Sequence, residues 1–240
     1  MFVPLHDKNP LAHVRFQYVT IALIVTNILV YLITTFPLEN HELNELAFSY
    51  GVTPAVLFDL RQLPARLDIL PQELTLVSYM FLHANWLHLL GNMLFLWVFG
   101  DNIEDATGHV RFLFFYLACG IFAGLLHSWM TPGSEMPLVG ASGAVAGVIA
   151  AYLMLHPRVK VWVLVLWRLP LRISAIWVLG FWAVMQVFNL IVADESDNIA
   201  WWAHIGGLIA GAVLIVILRR SEVRLFDQTL EEEFPVDPVA

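Results

Sequence analysis

The sequence has little charge and almost no cysteine. Only 13% of its 240 residues are charged, and 59% are apolar, whereas soluble domains carry about 25% charged residues. Cys119 is the single cysteine, which excludes a disulfide framework and a thiolate metal site. With 12 Lys and Arg and a net charge of −8, the chain lacks the basic surface that nucleic-acid binding needs. Composition therefore excludes a soluble globule and a nucleic-acid partner, and it indicates a protein embedded in a lipid bilayer.

Long apolar runs are what the sequence does contain. A membrane span needs about 20 mostly apolar residues, and five runs meet this requirement clearly. A sixth, Leu82–Phe99, is apolar but interrupted by polar side chains, while Val161–Trp167 is too short to span and predicts an interfacial hairpin. We therefore predict an all-α polytopic membrane protein, a bundle of six transmembrane helices with a long first outer loop. The five clear spans are Tyr18–Phe36, Phe112–Met130, Pro137–Leu155, Ile173–Ala193 and Ile199–Leu218.

The distribution of basic residues predicts the orientation of these spans. If the N-terminus is cytoplasmic, only Arg61 and Arg66 of the 12 Lys and Arg lie outside, as the positive-inside rule requires. Both termini are then cytoplasmic, and we predict a multi-pass protein of a prokaryotic cytoplasmic membrane. The outer loop from Pro37 to Met80 mixes apolar and charged residues, which favours an amphipathic segment in the headgroup layer.

Three regions follow from this pattern. Residues 1–17 are largely polar and the run behind them lacks a cleavage site, so we predict a cytoplasmic N-terminal segment without a removable signal peptide. Residues 18–219 form the predicted six-span membrane domain. Residues 220–240 are acidic, with three consecutive glutamates at Glu231–Glu233, which predicts a disordered cytoplasmic tail.

Polar side chains inside the predicted spans mark candidate chemistry, because such groups are costly in lipid. The fourth span contains Ser142 and the sixth contains His204. Each lies five residues past the predicted start of its span, which places both about 7–8 Å below the outer end of the helix. The second span adds His83, His88 and Asn92. It can begin at Leu82 or at Trp86, and in either case Asn92 lies in the outer half of the span or near its middle.

Small residues predict how closely these spans approach. Gly143 and Gly147 lie four residues apart beside Ser142, while Gly207 and Gly211 share the helix face of His204. Close helix contact in membranes depends on such small residues. The pattern therefore predicts a serine hydroxyl within hydrogen-bond reach of an imidazole, as nucleophilic catalysis requires.

Structural explanations compete with each of these signals. A Gly-Ala-Ser-Gly run is also typical of plain helix packing, and a lone membrane histidine such as His204 can simply be hydrogen-bonded at an interface. His83 and His88 are five residues apart, whereas helical metal ligands favour spacings of about three or four. No carboxylate accompanies them, so we predict neither a metal nor a cofactor.

Three motifs together resemble the rhomboid intramembrane serine proteases. Gly140-Ala141-Ser142-Gly143 is similar to the family's GxSG nucleophile motif, and Ala203-His204 with Gly207 and Gly211 resembles its AHxxGxxxG motif. His83, His88 and Asn92 reproduce the HxxxxHxxxN spacing. The three motifs occur in the family's order, and the resemblance covers about residues 18 to 218.

The resemblance implies roles for these residues. Ser142 is then the nucleophile and His204 the general base of a dyad, and no role is assigned to Asp194 or Asp197. Asn92 and His88 stabilise the oxyanion together with the Ser142 backbone N–H, with Gly140 and His83 in support. Two features depart from many relatives: Ala146 stands where an aromatic residue stacks on the histidine, and the outer loop lacks a Trp-Arg pair. Another aromatic residue would have to orient the His204 ring.

The function that this resemblance implies is endoproteolysis of transmembrane segments of other membrane proteins, near the outer face of the bilayer. Two alternatives stay open at this point. One is a catalytically inactive relative that binds membrane proteins, and the other is a transporter in which histidines relay protons. The oligomeric state and the physiological substrate stay open as well.

Overall fold

The computed structural model describes residues 2–35, 40–165, 168–192 and 200–226. Within them the chain is mostly helical. The nine α-helices of the described residues are α1 (Tyr18–Thr35), α2 (Asn40–Tyr50), α3 (Pro54–Leu57), α4 (Gln72–Ser78), α5 (Trp86–Thr107), α6 (His109–Met130), α7 (Ser142–Leu155), α8 (Ala175–Val192) and α9 (Trp201–Leu218). Four of them are long and apolar enough to cross a membrane: α1, α6, α8 and α9.

The two remaining predicted spans correspond to α5 and α7, which do not meet the same criterion of length and apolarity. Helix α5 combines its apolar residues with polar and acidic ones. Helix α7 has 14 residues and is therefore only about 21 Å long. It is buried along most of its length, so other helices rather than lipid surround it. A helix in this position does not need to match the thickness of the bilayer.

Helices α7 and α9 begin later than the sequence predicts, and α5 begins at Trp86, the later of the two starts that the sequence leaves open. Helix α5 starts at Trp86, because the Asn85 side chain caps it by accepting a hydrogen bond from the His88 N–H at 2.9 Å. His83 consequently lies ahead of the helix and not within it. Helix α7 starts at Ser142 rather than Pro137. Helix α9 starts at Trp201. The predicted depth of 7–8 Å along both helices is therefore wrong: the serine is the first residue of α7, and the histidine is in the first turn of α9.

A small antiparallel sheet accompanies the helices, so the all-α prediction is wrong in this detail. Strands β2 (Lys160–Val165) and β3 (Leu169–Ser174) form the hairpin that the sequence predicts. The additional strand, β1 (Phe2–Asp7), pairs with β2. This pairing joins residues more than 150 positions apart in the chain. Local sequence patterns do not predict such a contact.

Two acidic residues near the end of α5 fix the chain that leads into α1. The buried Glu104 carboxylate accepts hydrogen bonds from the backbone N–H groups of Val19 and Thr20 at 2.9 and 2.8 Å. Asp105 accepts from three successive N–H groups of residues 12–14. The first N–H groups of a helix lack partners within it, so Glu104 acts as an N-terminal cap supplied by a distant helix.

The predicted tail begins within the described residues. The Arg220 N–H donates to the Ala106 carbonyl at 2.8 Å, and the Phe226 N–H donates to the Met154 carbonyl at 2.6 Å. Residues up to 226 thus contact the helix bundle. Residues 227–240, which include the three consecutive glutamates, lie outside the described residues, as do Asp194 and Asp197.

Asp7 at the end of β1 makes stability depend on pH. Its side chain is 5% exposed and accepts a hydrogen bond from the Tyr152 hydroxyl. Burial raises the pKa of Asp7 from 3.8 to about 6, although the Tyr152 hydrogen bond opposes this change. Because the folded pKa exceeds the unfolded one, the folded state is most favoured below pH 3.8, and this advantage is lost as the pH rises through about 6.

We expect Asp7→Asn to remove this dependence. An amide oxygen still accepts from Tyr152 but carries no charge to desolvate, so the variant should be more stable than the parent at pH 8, by about 2–3 kcal/mol. The difference should shrink toward pH 4. Thermal unfolding of the purified full chain in detergent at both pH values measures it, with the exposed Asp59→Asn as the control. A stability difference that is equal at both pH values would contradict this account of Asp7.

Candidate active site

Ser142 and His204 lie in contact at neighbouring helix ends. The Ser142 Oγ atom is 3.0 Å from Nε2 of His204, a hydrogen-bond distance. Ser142 is the first residue of α7 and His204 is the fourth residue of α9. The geometry thus brings a potential nucleophile and a potential base together from separate helices.

Glycines allow the backbones of α7 and α9 to approach this closely. A Cβ atom added to Gly207 would lie 1.9 Å from the Gly143 carbonyl oxygen, and one added to Gly211 would lie 2.2 Å from that of Gly147. Neither position has space for any side chain. These glycine contacts between α7 and α9 begin beside the Ser142–His204 pair. They therefore set the distance between the two helices at the point where the two side chains meet.

The turn before Ser142 also requires glycine. Gly140 has a φ of +124°, where L-amino acids are strained, and an added Cβ would lie 2.5 Å from the His88 ring. The turn is held by the Gly140 N–H, which donates to the Tyr79 carbonyl at 2.9 Å. The outer loop adds a two-way backbone bridge between Val52 and Leu138, at 3.1 and 2.8 Å. This bridge anchors the loop in a chain without the Trp-Arg pair.

His83, His88 and Asn92 form a second polar group beside this turn. The Asn92 Nδ2 atom is 3.0 Å from Nε2 of His83, and the rings of His83 and His88 meet edge to face at 5.1 Å. His88 in turn packs against Gly140. The histidine that precedes α5 therefore reaches the asparagine in the second turn of that helix.

Two tryptophans and a glutamine surround His204. The Trp182 and Trp201 rings lie 6.0 and 5.9 Å from the imidazole centroid, and Trp201 meets it edge to face. Two aromatic rings therefore lie beside the imidazole, although Ala146 provides none. Gln186 of α8 brings its Oε1 atom to 2.8 Å from Nδ1 of His204. The sequence indicates only an interhelical hydrogen bond for a glutamine in an apolar span, and no spacing motif points to His204 as its partner.

Among the residues that the structure describes, no three His, Cys, Asp or Glu side chains are placed to hold a metal ion. The arrangement of hydroxyl, imidazole and amide is instead the kind that supports acyl transfer through a serine.

Comparisons with known proteins point in the same direction. Residues 71–221 match the family model described as the Rhomboid domain. The chain is 28% identical over 167 residues to Rhomboid-like protein 11, chloroplastic, of Arabidopsis thaliana, which covers 65% of this chain and 56% of the relative. It is 27% identical over 190 residues to Rhomboid protein 1, mitochondrial, of Saccharomyces cerevisiae, covering 73% of this chain and 53% of the relative.

A bacterial relative is matched over more of its own length. The rhomboid protein YdcA of Bacillus subtilis is 30% identical over 156 residues, which cover 63% of this chain and 70% of the relative. The chain spans about half the length of the chloroplast and mitochondrial relatives. All of these matches cover most of the chain and support a polytopic membrane protein.

Proposed function

The chain belongs to the rhomboid family, and we propose that it is an intramembrane serine endopeptidase that cleaves transmembrane segments of other membrane proteins. The observation that carries this proposal is the 3.0 Å contact between Ser142 Oγ and His204 Nε2. The hydroxyl can act as a nucleophile and the imidazole as its base. Because the two lie in contact within a bundle of apolar helices, the bond that they would attack is one inside a membrane.

The mechanism follows from the chemistry of acyl transfer. His204 accepts the Ser142 proton at Nε2 while Oγ attacks the scissile carbonyl carbon, and it then returns this proton to the leaving amine. The product is an ester between Ser142 and the N-terminal part of the substrate. Water, deprotonated by the same imidazole, releases this part and restores the free serine.

Negative charge develops on the carbonyl oxygen during attack, and hydrogen-bond donors that are already in position stabilise it. Because α7 begins at Ser142, the N–H groups of its first turn lack intrahelical partners and are available to an oxyanion. We assign Asn92 and His88 as further donors, with His83 holding the Asn92 amide. One such donor typically contributes about 10²–10³ in rate.

In this proposal α5 and α7 complete a bundle of six spans, and the catalytic pair faces the outer half of the bilayer. Both termini lie in the cytoplasm, with residues 1–17 and 220–240 flanking the membrane domain. The membrane is a prokaryotic cytoplasmic membrane. Favoured substrates are transmembrane segments that unwind easily, because a carbonyl bonded within a helix is poorly accessible to attack, and a small residue is expected before the cut.

A direct assay distinguishes the proposed protease from an inactive member of the family that only binds membrane proteins. The purified full chain is reconstituted in liposomes with a transmembrane reporter protein, and products are identified by mass spectrometry. We expect two fragments whose masses sum to the reporter plus one water, with new termini inside or beside its span. A reporter that is retained by the protein but stays uncut would contradict proteolysis and favour the binding role.

A further inference from the structure

Gln186 makes two hydrogen bonds that together fix the direction of its amide. It lies on α8 with a buried side chain that is 4% exposed. Its Nε2 atom donates to the Trp182 carbonyl of the same helix at 2.9 Å. Its Oε1 atom lies 2.8 Å from Nδ1 of His204 on α9.

The Trp182 carbonyl determines which amide atom faces the histidine. A carbonyl oxygen can only accept, so the amide must present its N–H₂ group to Trp182. Rotating the amide by half a turn would set two oxygen acceptors against each other and leave the buried amide oxygen of Gln186 without a donor, which is costly. The oxygen of Gln186 therefore faces His204.

An oxygen acceptor at this position determines the tautomer of His204. Nδ1 must carry the proton that Gln186 accepts, because a bare Nδ1 would oppose Oε1 with a second lone pair. In the neutral ring Nε2 then bears the free lone pair. This is the atom that lies 3.0 Å from Ser142 Oγ, so the imidazole is held ready to accept the serine proton.

We infer that Gln186 is the positioning residue of the catalytic pair: its amide oxygen holds His204 in the Nδ1–H tautomer and aims Nε2 at Ser142. This inference rests on the proposed function and deepens it. When His204 becomes protonated, the Nδ1–H···Oε1 bond becomes charge-assisted and stronger. A neutral amide supplies this stabilisation without burying an anion among apolar helices, which would be costly.

Three variants separate positioning from simple docking of α8 on α9. Gln186→Met has similar volume but no hydrogen-bonding group, so it keeps packing and removes the acceptor. Gln186→Glu keeps an acceptor oxygen at the same place and should restore function in part. Val187→Met is the matched control, because this residue neighbours Gln186 on the same helix but is 47% exposed.

We expect Gln186→Met to lower kcat about 10–100-fold with little change in KM, since a hydrogen bond to a charged group is lost in the transition state. Gln186→Glu should stay within about tenfold of the parent, and Val187→Met should equal it. Equal losses in Gln186→Met and Gln186→Glu would overturn the inference, as would an unchanged kcat in Gln186→Met.

The tautomer itself is read by ¹⁵N NMR of ring-labelled histidine in the full chain, with the His204 signals identified by their loss in His204→Gln. The measurement uses the Ser142→Ala background, so it needs no catalytic activity. We expect an Nδ1–H ring with Gln186 present and a mixture of tautomers in Gln186→Met. A ring protonated at Nε2 with Gln186 present would overturn the inference even if cleavage is observed. If the tautomer is as expected but no reporter is cut, the proposed function fails and the positioning contact stands.

Discussion

Ser142→Ala should lower the cleavage rate of a transmembrane reporter by at least about 10⁴-fold, the scale seen when a serine nucleophile is removed. Alanine has no atom that can attack the carbonyl carbon, and no other hydroxyl is shown in contact with His204 among the described residues. The variant should keep its fold, because the serine begins a helix whose backbone contacts do not depend on the hydroxyl.

Ser128→Ala provides the matched control for this experiment. Ser128 is also buried in a helix, but its hydroxyl donates to the Gly124 carbonyl four residues earlier in the same helix, at 2.8 Å. Its removal should leave cleavage close to the parental rate. Rates are compared in liposomes at equal amounts of folded protein. Cleavage by Ser142→Ala at more than about 1% of the parental rate would exclude this serine as the nucleophile.

Gly207→Ala should produce the second large loss, although it adds only one methyl group. The added carbon would lie 1.9 Å from the Gly143 carbonyl oxygen, and backbone cannot move aside as a flexible side chain can. Helices α7 and α9 must separate, which overpacks the interface at a cost of about 1–3 kcal/mol. The same separation moves His204, one turn away, out of reach of Ser142. We expect cleavage to fall at least about 100-fold, because small misplacements of catalytic groups have effects of this size.

Gly180→Ala is the control for the added methyl group, since a Cβ atom added there would meet nothing within 4 Å beyond its own stretch of helix. It should cleave like the parent and melt at the parental temperature or slightly above it, because alanine is favoured over glycine inside a helix. The two glycine variants are compared by melting temperature in detergent and by kcat in liposomes. A Gly207→Ala variant that melts and cleaves like Gly180→Ala would contradict the close backbone contact between α7 and α9.

The Ser142–His204 contact is the part of the site that the sequence predicts best. The GxSG pattern places small residues beside Ser142, and the AHxxGxxxG pattern places glycines on the helix face of His204, so close packing of the two helices is expected. The helix starts are predicted less well. Helix α7 begins late because Leu138 is drawn into the bridge with Val52 and Gly140 adopts a positive φ, and both features depend on an outer loop distant in sequence.

The contact between Gln186 and His204 could not be predicted from the sequence. A glutamine in an apolar helix predicts a hydrogen bond, but its partner depends on how α8 and α9 are rotated against each other. The pairing of β1 with β2 cannot be predicted for a similar reason, since both strands are short and lie more than 150 residues apart in the chain. A contact between distant segments can be predicted from the sequence only where a motif marks both partners, as it does for Ser142 and His204.

The most direct measurement of the central claim is covalent labelling of the full chain by a fluorophosphonate probe, followed by mass spectrometry of the modified peptide. Such a probe bonds to a serine only when a neighbouring base activates its hydroxyl. We expect one adduct, on Ser142, and its loss in both Ser142→Ala and His204→Ala. Equal labelling of the parent and both variants, or an adduct on another residue alone, would contradict a nucleophile at Ser142 activated by His204.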